Sequence, residues 1–302
     1  MVGSWRPVGQ LLGAATTVAL VSGFLTGSAM AQNNSGKVAF STGADFSHAY
    51  FFRGIKQERS GIVAQPYMDM TFSLFEGTEG FNSVTFTIGQ WNSLHTGPSG
   101  NNGPATNVAA WYESDFYAGF GFGVDNWELG LIYTAYLSPN DTFGTVKEVA
   151  LSLAVDDSAL LGDFTLSPHM RMAIELGGQA DGGMGEGVYL EFGVEPGLSL
   201  EGTPVSLSFP LTVGMSLSNY YEGAPGNDDV FGYVDLGLVA SVPLPILESY
   251  CAWELSGGVH LLSLGDALTS CSTTVTGFRR SAPSVSISCI KGRLVLQESG
   301  AA

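Results

Sequence analysis

Acidic side chains recur at alternate positions along this chain, and that spacing is the chemistry it offers. Asp45, Asp69, Glu113, Asp115, Glu128, Glu148, Glu175, Glu191, Glu195, Asp235 and Glu254 share a parity with small or hydroxylic neighbours, while the opposite parity is apolar. Lys37, Arg53 and Arg171 are the main bases of the polar parity. Carboxylates gathered in a confined wet space draw cations toward it. The whole-chain balance has the same sign: 28 acids against 11 bases give a net charge of −17. A surface of that sign cannot neutralise phosphates, which argues against nucleic acid as a partner.

Other chemistry finds less support. Imidazole bases are limited to His48, His95, His169 and His260. Ser256 shares a parity with His260, but four residues of extended chain separate them by about 13 Å, beyond hydrogen-bond reach. No GxSxG or HExxH string occurs, so no catalytic residue is singled out and the chain does not read as an enzyme. Gly119-Phe120-Gly121-Phe122-Gly123 lacks the GxGxxG spacing and leads into no helix; its glycines leave room on one strand face. The acidic turns 181–186 and 226–229 carry carboxylates of the kind Ca²⁺ prefers, yet neither matches an EF-hand loop. With no CxxC or Cys/His cluster, no metal or cofactor is expected. Cys251, Cys271 and Cys289 allow one disulfide, in any of three pairings.

The elements that must position these residues are strands. Arg6 is the only charge in the first 36 residues; an apolar run at 8–25 follows, then Ala29-Met30-Ala31, a small-x-small cleavage site before Gln32. Residues 1–31 therefore read as a secretory signal peptide. No later stretch approaches the roughly 18 apolar residues of a membrane helix. Instead, period-two alternation predicts twelve strands, at 37–52, 62–75, 83–92, 110–124, 127–137, 146–155, 164–176, 188–199, 204–217, 230–242, 251–262 and 283–296. Most match the roughly 9–11 residues with which a tilted strand crosses a bilayer.

Parity gives each strand two unlike faces. In the fourth, Tyr112, Phe116, Ala118, Phe120 and Phe122 oppose Trp111, Glu113, Asp115, Tyr117 and three glycines. In the ninth, Leu207, Phe209, Leu211, Val213 and Met215 oppose Ser206, Ser208, Thr212, Gly214 and Ser216. The connections alternate as well. Those at 53–61, 93–109, 138–145, 177–187, 218–229 and 263–282 read as outer loops, several long and rich in Gly, Asn and Pro, whereas the Asp125-Asn126 and 200–203 turns between them are short. This asymmetry belongs to outer-membrane barrels and has no reason to exist in a soluble sandwich. Trp127, Tyr133, Tyr50, Phe52, Tyr112 and Tyr220 fall near strand ends, where girdle aromatics are expected.

The reading is an all-β, antiparallel, up-and-down transmembrane barrel of about 12 strands, in the outer membrane of a Gram-negative-type bacterium. Lipid would surround it, and small cations or polar solutes would be its partners. Residues 32–269 form the barrel domain. The expected role is a porin-like channel for small solutes or cations; the alternatives are a non-conducting structural or surface-interaction barrel and a soluble periplasmic β-sandwich binding protein. A lumen this wide is either an open pore or a polar plug in which Arg53 and Arg171 bridge carboxylates.

The most distinctive string ends the first strand: Tyr50-Phe51-Phe52-Arg53-Gly54-Ile55, with Gln57 after it and Ala64-Gln65-Pro66 opening the next strand. Arg53, Lys56 and Arg59 make it the main basic cluster, read as a salt-bridged outer loop or as a contact for lipopolysaccharide phosphate. The string resembles the Y-x-F-R-G-x-x-Q motif of the Gcw_chp family of exported bacterial proteins, whose function is uncharacterised. The resemblance covers about 30 residues; it implies a barrel and an outer-membrane location and brings no catalytic residues. From Ser270 the character changes. Arg279, Arg280, Lys291 and Arg293 hold four of the 11 bases, and the chain ends Gln297-Glu298-Ser299-Gly300-Ala301-Ala302 rather than on an aromatic. Residues 270–302 thus read as an atypical basic segment containing a candidate closing strand, either a replacement or a departure from the ancestral reading frame.

Overall fold

The computed structural model describes residues 37–78, 80–101, 108–158, 164–224, 227–245, 252–270 and 283–292. The expected signal segment, Cys251, Cys271 and residues 293–302 lie outside them, and with them the disulfide question. In chain order the strands are β1 (Val38–Ser47), β2 (Tyr50–Phe52), β3 (Ile55–Glu58), β4 (Val63–Glu76), β5 (Phe81–His95), β6 (Trp111–Val124) and β7 (Trp127–Leu137). There follow β8 (Val146–Val155), β9 (Phe164–Thr165), β10 (His169–Gly177), β11 (Val188–Val194), β12 (Gly197–Ser199), β13 (Ser206–Ser208) and β14 (Leu211–Ser218). The remainder are β15 (Glu222–Ala224), β16 (Asn227–Asp228), β17 (Phe231–Leu244), β18 (Ala252–Leu264), a short helix α1 (Asp266–Ser270) and β19 (Pro283–Gly292).

Twelve of these strands form a hydrogen-bonded circuit in the order β14-β11-β10-β8-β7-β6-β5-β4-β1-β19-β18-β17, with β17 pairing back onto β14. The irregular C-terminal segment supplies the closing strand: Pro283–Gly292 lies antiparallel between β1 and β18. Closure leaves no open edge, the condition for a sheet to span hydrocarbon. The apolar parity faces outward all round, with Phe46, Met68, Ile88, Phe120, Leu131, Leu151, Phe192, Leu236 and Leu261 exposed. A sandwich would hide these residues between two sheets, so that alternative is overturned: the sheet is a single transmembrane barrel. Short turns, including 77–80 and Asp125-Asn126, lie at one end, here the turn end; the longer connections lie at the loop end.

Three departures from simple alternation matter for the lumen. The first strand stops at Ser47, not at 52; the chain then folds back as the β2–β3 hairpin instead of forming an outer loop. Near the start of β6 the register slips, with Ser93 facing Glu113 and Leu94 facing Trp111. This bulge carries one extra residue and swaps the faces of its neighbours, so Tyr112 is buried inside, contrary to its sequence parity. Finally, the seventh, eighth and ninth predicted strands are each interrupted, as β9/β10, β11/β12 and β13/β14, next to Pro168, Pro196 and Pro210. Proline cannot donate to the ladder, but the three carbonyls still accept, from Val155, Phe209 and Gly237.

Ile88, at the centre of β5, faces outward, and Thr85 faces inward. Ile88→Arg is expected to destabilise the folded barrel by about 2–4 kcal/mol, as a charge at the bilayer midplane does. Thr85→Ser should stay within about 0.5 kcal/mol. Denaturant unfolding from lipid vesicles measures both.

Candidate functional site

Inward-facing side chains of a closed barrel meet solvent only through the lumen, so their exposure maps the space inside. At the turn end they are half-exposed: Thr71, Ser73, Thr85, Glu128, Gly130, Ser152, Glu254 and Ser256. At the loop end they are buried: Trp91, Ser93, Glu113, Asp115, Tyr136, Glu148, Glu175, Tyr189, Glu191, Tyr233 and Asp235. The barrel is therefore a wet cup at the turn end, closed by a packed layer at the loop end.

The β2–β3 hairpin makes that layer. Its sequence explains why it folds inward. Tyr50, Phe51, Phe52 and Ile55 have apolar surface to bury, and Arg53-Gly54 forms the two-residue turn, with φ values of 49° and 81°. Both are positive, as a type I′ turn requires. Gly54 adopts this readily; a non-glycine residue there costs roughly 1–2 kcal/mol. Arg53 is held in place by its surroundings. The Tyr221 hydroxyl donates to the Arg53 carbonyl at 2.9 Å. The guanidinium forks onto the Glu148 carboxylate, Nη1 to Oε2 at 2.6 Å and Nη2 to Oε1 at 2.8 Å. Nη1 also donates to the Tyr220 hydroxyl at 2.7 Å. The cation's central carbon sits 4.3 Å from the Tyr189 ring centroid, 4.8 Å from Phe52 and 5.5 Å from Tyr220, all within cation–π range. Arg53 is 6% exposed and Glu148 2%.

Either side of this centre the plug is anchored to the wall. Tyr50 packs against Trp91 and His95, with centroids 5.7 and 5.8 Å away, and His95 stacks on Tyr112 at 4.3 Å. Phe52 meets Tyr136 edge-on at 5.3 Å. Tyr112 donates to Gln57. A buried polar chain ties the end of the hairpin to β5: Ser93 Oγ lies 2.7 Å from His95 Nε2, His95 Nδ1 lies 2.6 Å from Ser99 Oγ, and Ser99 Oγ donates to Glu58 Oε2 at 2.7 Å. Backbone amides of Ser99, Arg59 and Ser60 donate to the same carboxylate. Burial by itself would push the Glu58 carboxyl up; these four donors outweigh it and hold the carboxyl below its ordinary value. The serine–imidazole pair is fully buried, with Ser93 at 0% and His95 at 1%, so the chain latches the hairpin to the wall.

The expected lumen residues separate into groups. Glu113, Asp115, Glu148, Arg171, Glu175, Glu191 and Asp235 are buried in or beside the plug. Asp45, Asp69, Glu128 and Glu254 lie on inward parities and are half-exposed, with Asp69 accepting from Tyr117 across Gly89. A Cβ on Gly89 would fall 2.5 Å from the Tyr117 ring, so that crossing requires glycine. Glu195 is exposed beside the Pro196 interruption. Arg53 does not line an open pore, nor can it reach a lipopolysaccharide phosphate, because it is buried against Glu148. Tyr50, Phe52, Tyr112 and Tyr220 leave the expected girdle and form the plug; Trp127 and Tyr133 remain exposed on the outer face. Acids outnumber bases in this dry layer. Neither carboxylate oxygen of Asp115 has a hydrogen-bond partner, nor does one oxygen each of Glu191 and Asp235. Asp235 does pair with His260 through its other oxygen, at 3.0 Å. The acidic turn at 181–186 and Asp228 serve structure: Asp181 accepts from the Glu222 amide, Glu222 accepts from Met184 and Gly185, and Asp228 accepts from the Ser216 hydroxyl and the Asn219 amide. Among the described residues, no group of three or more His, Cys, Asp or Glu is placed to hold a metal.

Sequence parity had put Tyr117 inside but had given no role to Tyr136, Tyr189, Tyr221 and Tyr233, or to the Ser93–His95–Ser99 chain. The available signal was inward parity: Tyr189 lies two residues before Glu191, and Tyr233 two before Asp235.

No family model matches the sequence, so the resemblance at 50–66 remains local, and no curated protein matches it. Solved structures with a similar architecture include the NanC porin, 9% identical, covering 85% of this chain and 100% of that one at a TM-score of 0.40. An outer membrane channel from Pseudomonas putida F1 is 8% identical, covering 86% and 97% at 0.44. Outer membrane phospholipase A from Escherichia coli is 12% identical, covering 92% and 99% at 0.40.

Two outcomes are expected. Arg53→Ala strands a buried carboxylate and should lower stability by about 3–5 kcal/mol, whereas Arg53→Met combined with Glu148→Leu should recover most of that, in denaturant melts in detergent. For Glu58 the folded pKa is the depressed one. Its stabilising contribution is complete above the free value near ~4.3 and is lost as pH falls through the lower folded value. Near-ultraviolet circular dichroism of the packed aromatics should show an acid transition below about pH 4.3, absent in Glu58→Gln.

Proposed function

We propose that this protein is an outer-membrane channel of a Gram-negative-type bacterium, passing small cations or polar solutes, and that the β2–β3 hairpin holds it closed in the state described. The observation that carries this reading is the division of the lumen. Half-exposed Asp69, Glu128 and Glu254 line a wet cup, Asp45 stands half-exposed nearer the plug, and the β2–β3 hairpin packs between that cup and the loop end. A plug made of one short hairpin can move as a unit once its side-chain contacts with the wall are released, because it is covalently continuous with the rest of the chain only through its two ends. Carboxylate excess in both layers supports a preference for cations. Catalysis has no part in this reading.

A second reading, a non-conducting structural or surface-interaction barrel, is favoured by the depth of burial of the hairpin: Ala49, Tyr50 and Phe51 are as dry as the core of a soluble domain.

Planar-bilayer recording separates the two. The wild-type barrel is expected to show rare openings, and a variant with residues 49–58 replaced by a Gly-Ser linker steady, cation-selective current. Wild-type silence at every voltage would favour the structural barrel. An assembled, heat-modifiable linker variant that stays silent, or that prefers anions, would overturn the channel reading.

A further inference from the structure

We propose that the recess holding the Arg53 side chain is a binding site for organic cations bearing a guanidinium or alkylammonium group, and that Arg53 is a tethered occupant of it. The inference deepens the channel reading by naming a class of solute.

The site is built by the wall and its loops, not by the hairpin. Glu148 on β8 supplies a carboxylate that accepts two parallel N–H bonds, the geometry that matches a planar guanidinium. Tyr220, just beyond β14, supplies a hydroxyl acceptor at 2.7 Å and a ring 5.5 Å from the cation. Tyr189 on β11 offers its face at 4.3 Å. An aromatic face, a second aromatic and a buried carboxylate around one cation is the arrangement that recognises guanidinium and ammonium ligands generally. Tyr189 is itself fixed by donating to Glu191 at 2.6 Å and by its contact with the Tyr233 hydroxyl at 2.8 Å. Three of the four guanidinium contacts thus come from elements nearly a hundred or more residues away from Arg53 in sequence.

Two features separate an occupant from a simple strut. Arg53 adopts a left-handed backbone conformation that glycine, asparagine or aspartate would adopt at lower cost, so the side chain is kept despite the turn. In addition, Glu148 is too deeply buried to stay ionised without a counter-charge. If the hairpin withdraws, another cation must take the place of Arg53, and arrival of that cation favours withdrawal. Arg171, on neighbouring β10, is also buried and acts on Glu148 electrostatically, but it makes no hydrogen bond to that carboxylate among the described residues, so it offsets part of the charge without replacing the fork.

The test uses the full barrel in detergent, with methylguanidinium as probe and urea, an uncharged planar analogue of the guanidinium head, and sodium as controls. In wild type, backbone hydrogen exchange of residues 48–60 is expected to rise at least tenfold as methylguanidinium saturates, with no rise in urea or sodium chloride at matched concentration. Arg53→Ala, used once heat-modifiable migration shows it folded, is expected to bind methylguanidinium saturably and at least tenfold more tightly than sodium. Adding Glu148→Gln should abolish that binding. No saturable effect in either protein would overturn the proposal. So would binding by Arg53→Ala with wild-type exchange unchanged, since Arg53 would then be a fixed strut. Neither readout passes current, so a barrel that never conducts would leave a positive result standing, and a conducting barrel would not rescue a negative one.

Discussion

Hydrocarbon offers no hydrogen bonds, and every other feature of this protein follows from that constraint. A sheet in lipid must satisfy all its backbone groups within itself, which a chain of strands achieves only by closing into a ring. Here the closure depends on Pro283–Gly292, the least regular segment of the sequence, which pairs with β1 on one side and β18 on the other. Once the ring is closed, the two side-chain parities acquire opposite solvents. The apolar set must face lipid, and the acids have nowhere to go but the interior.

That arrangement creates a second problem. A twelve-strand ring is too wide for its own inward side chains to fill, and its interior carries more carboxylates than bases. The loop end answers with a hairpin that brings in apolar surface and the buried Arg53 cation. Arg53 neutralises Glu148, and the aromatic rings of Tyr189, Tyr220 and Phe52 spread the charge over polarisable faces. A desolvated ion pair gives little net stability over an apolar substitute, but it makes any other position of the hairpin costly. Specificity of closure, more than stability, is what this pair contributes. Among the described residues the turn end has no such plug, and its Ser, Thr and Gly residues leave room for water.

The local rules were legible in the sequence. Twelve strand positions could be placed from alternation, the twelfth in the atypical C-terminal segment, and the inward acids from parity, because a strand's two faces are a property of its own backbone. The Asp125-Asn126 turn could be placed for the same reason. What could not be placed was anything that depended on a partner. Parity assigned Tyr112 outward because one extra residue in β6 is invisible until β5 is laid beside it. Tyr50, Phe52 and Tyr220 were expected in a girdle because strand-end aromatics normally lie there; the alternative, a common interior layer, requires Tyr50 to meet Trp91 and Tyr112, Phe52 to meet Tyr136, and Tyr220 to meet Tyr189. Arg53 and Glu148 are 95 positions apart, and no local pattern joins them.

The sequence by itself determined that this is a β structure with one greasy and one acidic face, since a period of two and a composition are enough for that; loop asymmetry favoured a membrane barrel, and the closed ring decided it over a sandwich. Only the tertiary structure decided where the ring closes, and that its loop end is filled rather than open. The physical reason is range. Alternation is fixed by each residue's neighbours in the chain, whereas a buried charge chooses its position by the counter-charge available to it, and here that counter-charge arrives from the far side of the barrel.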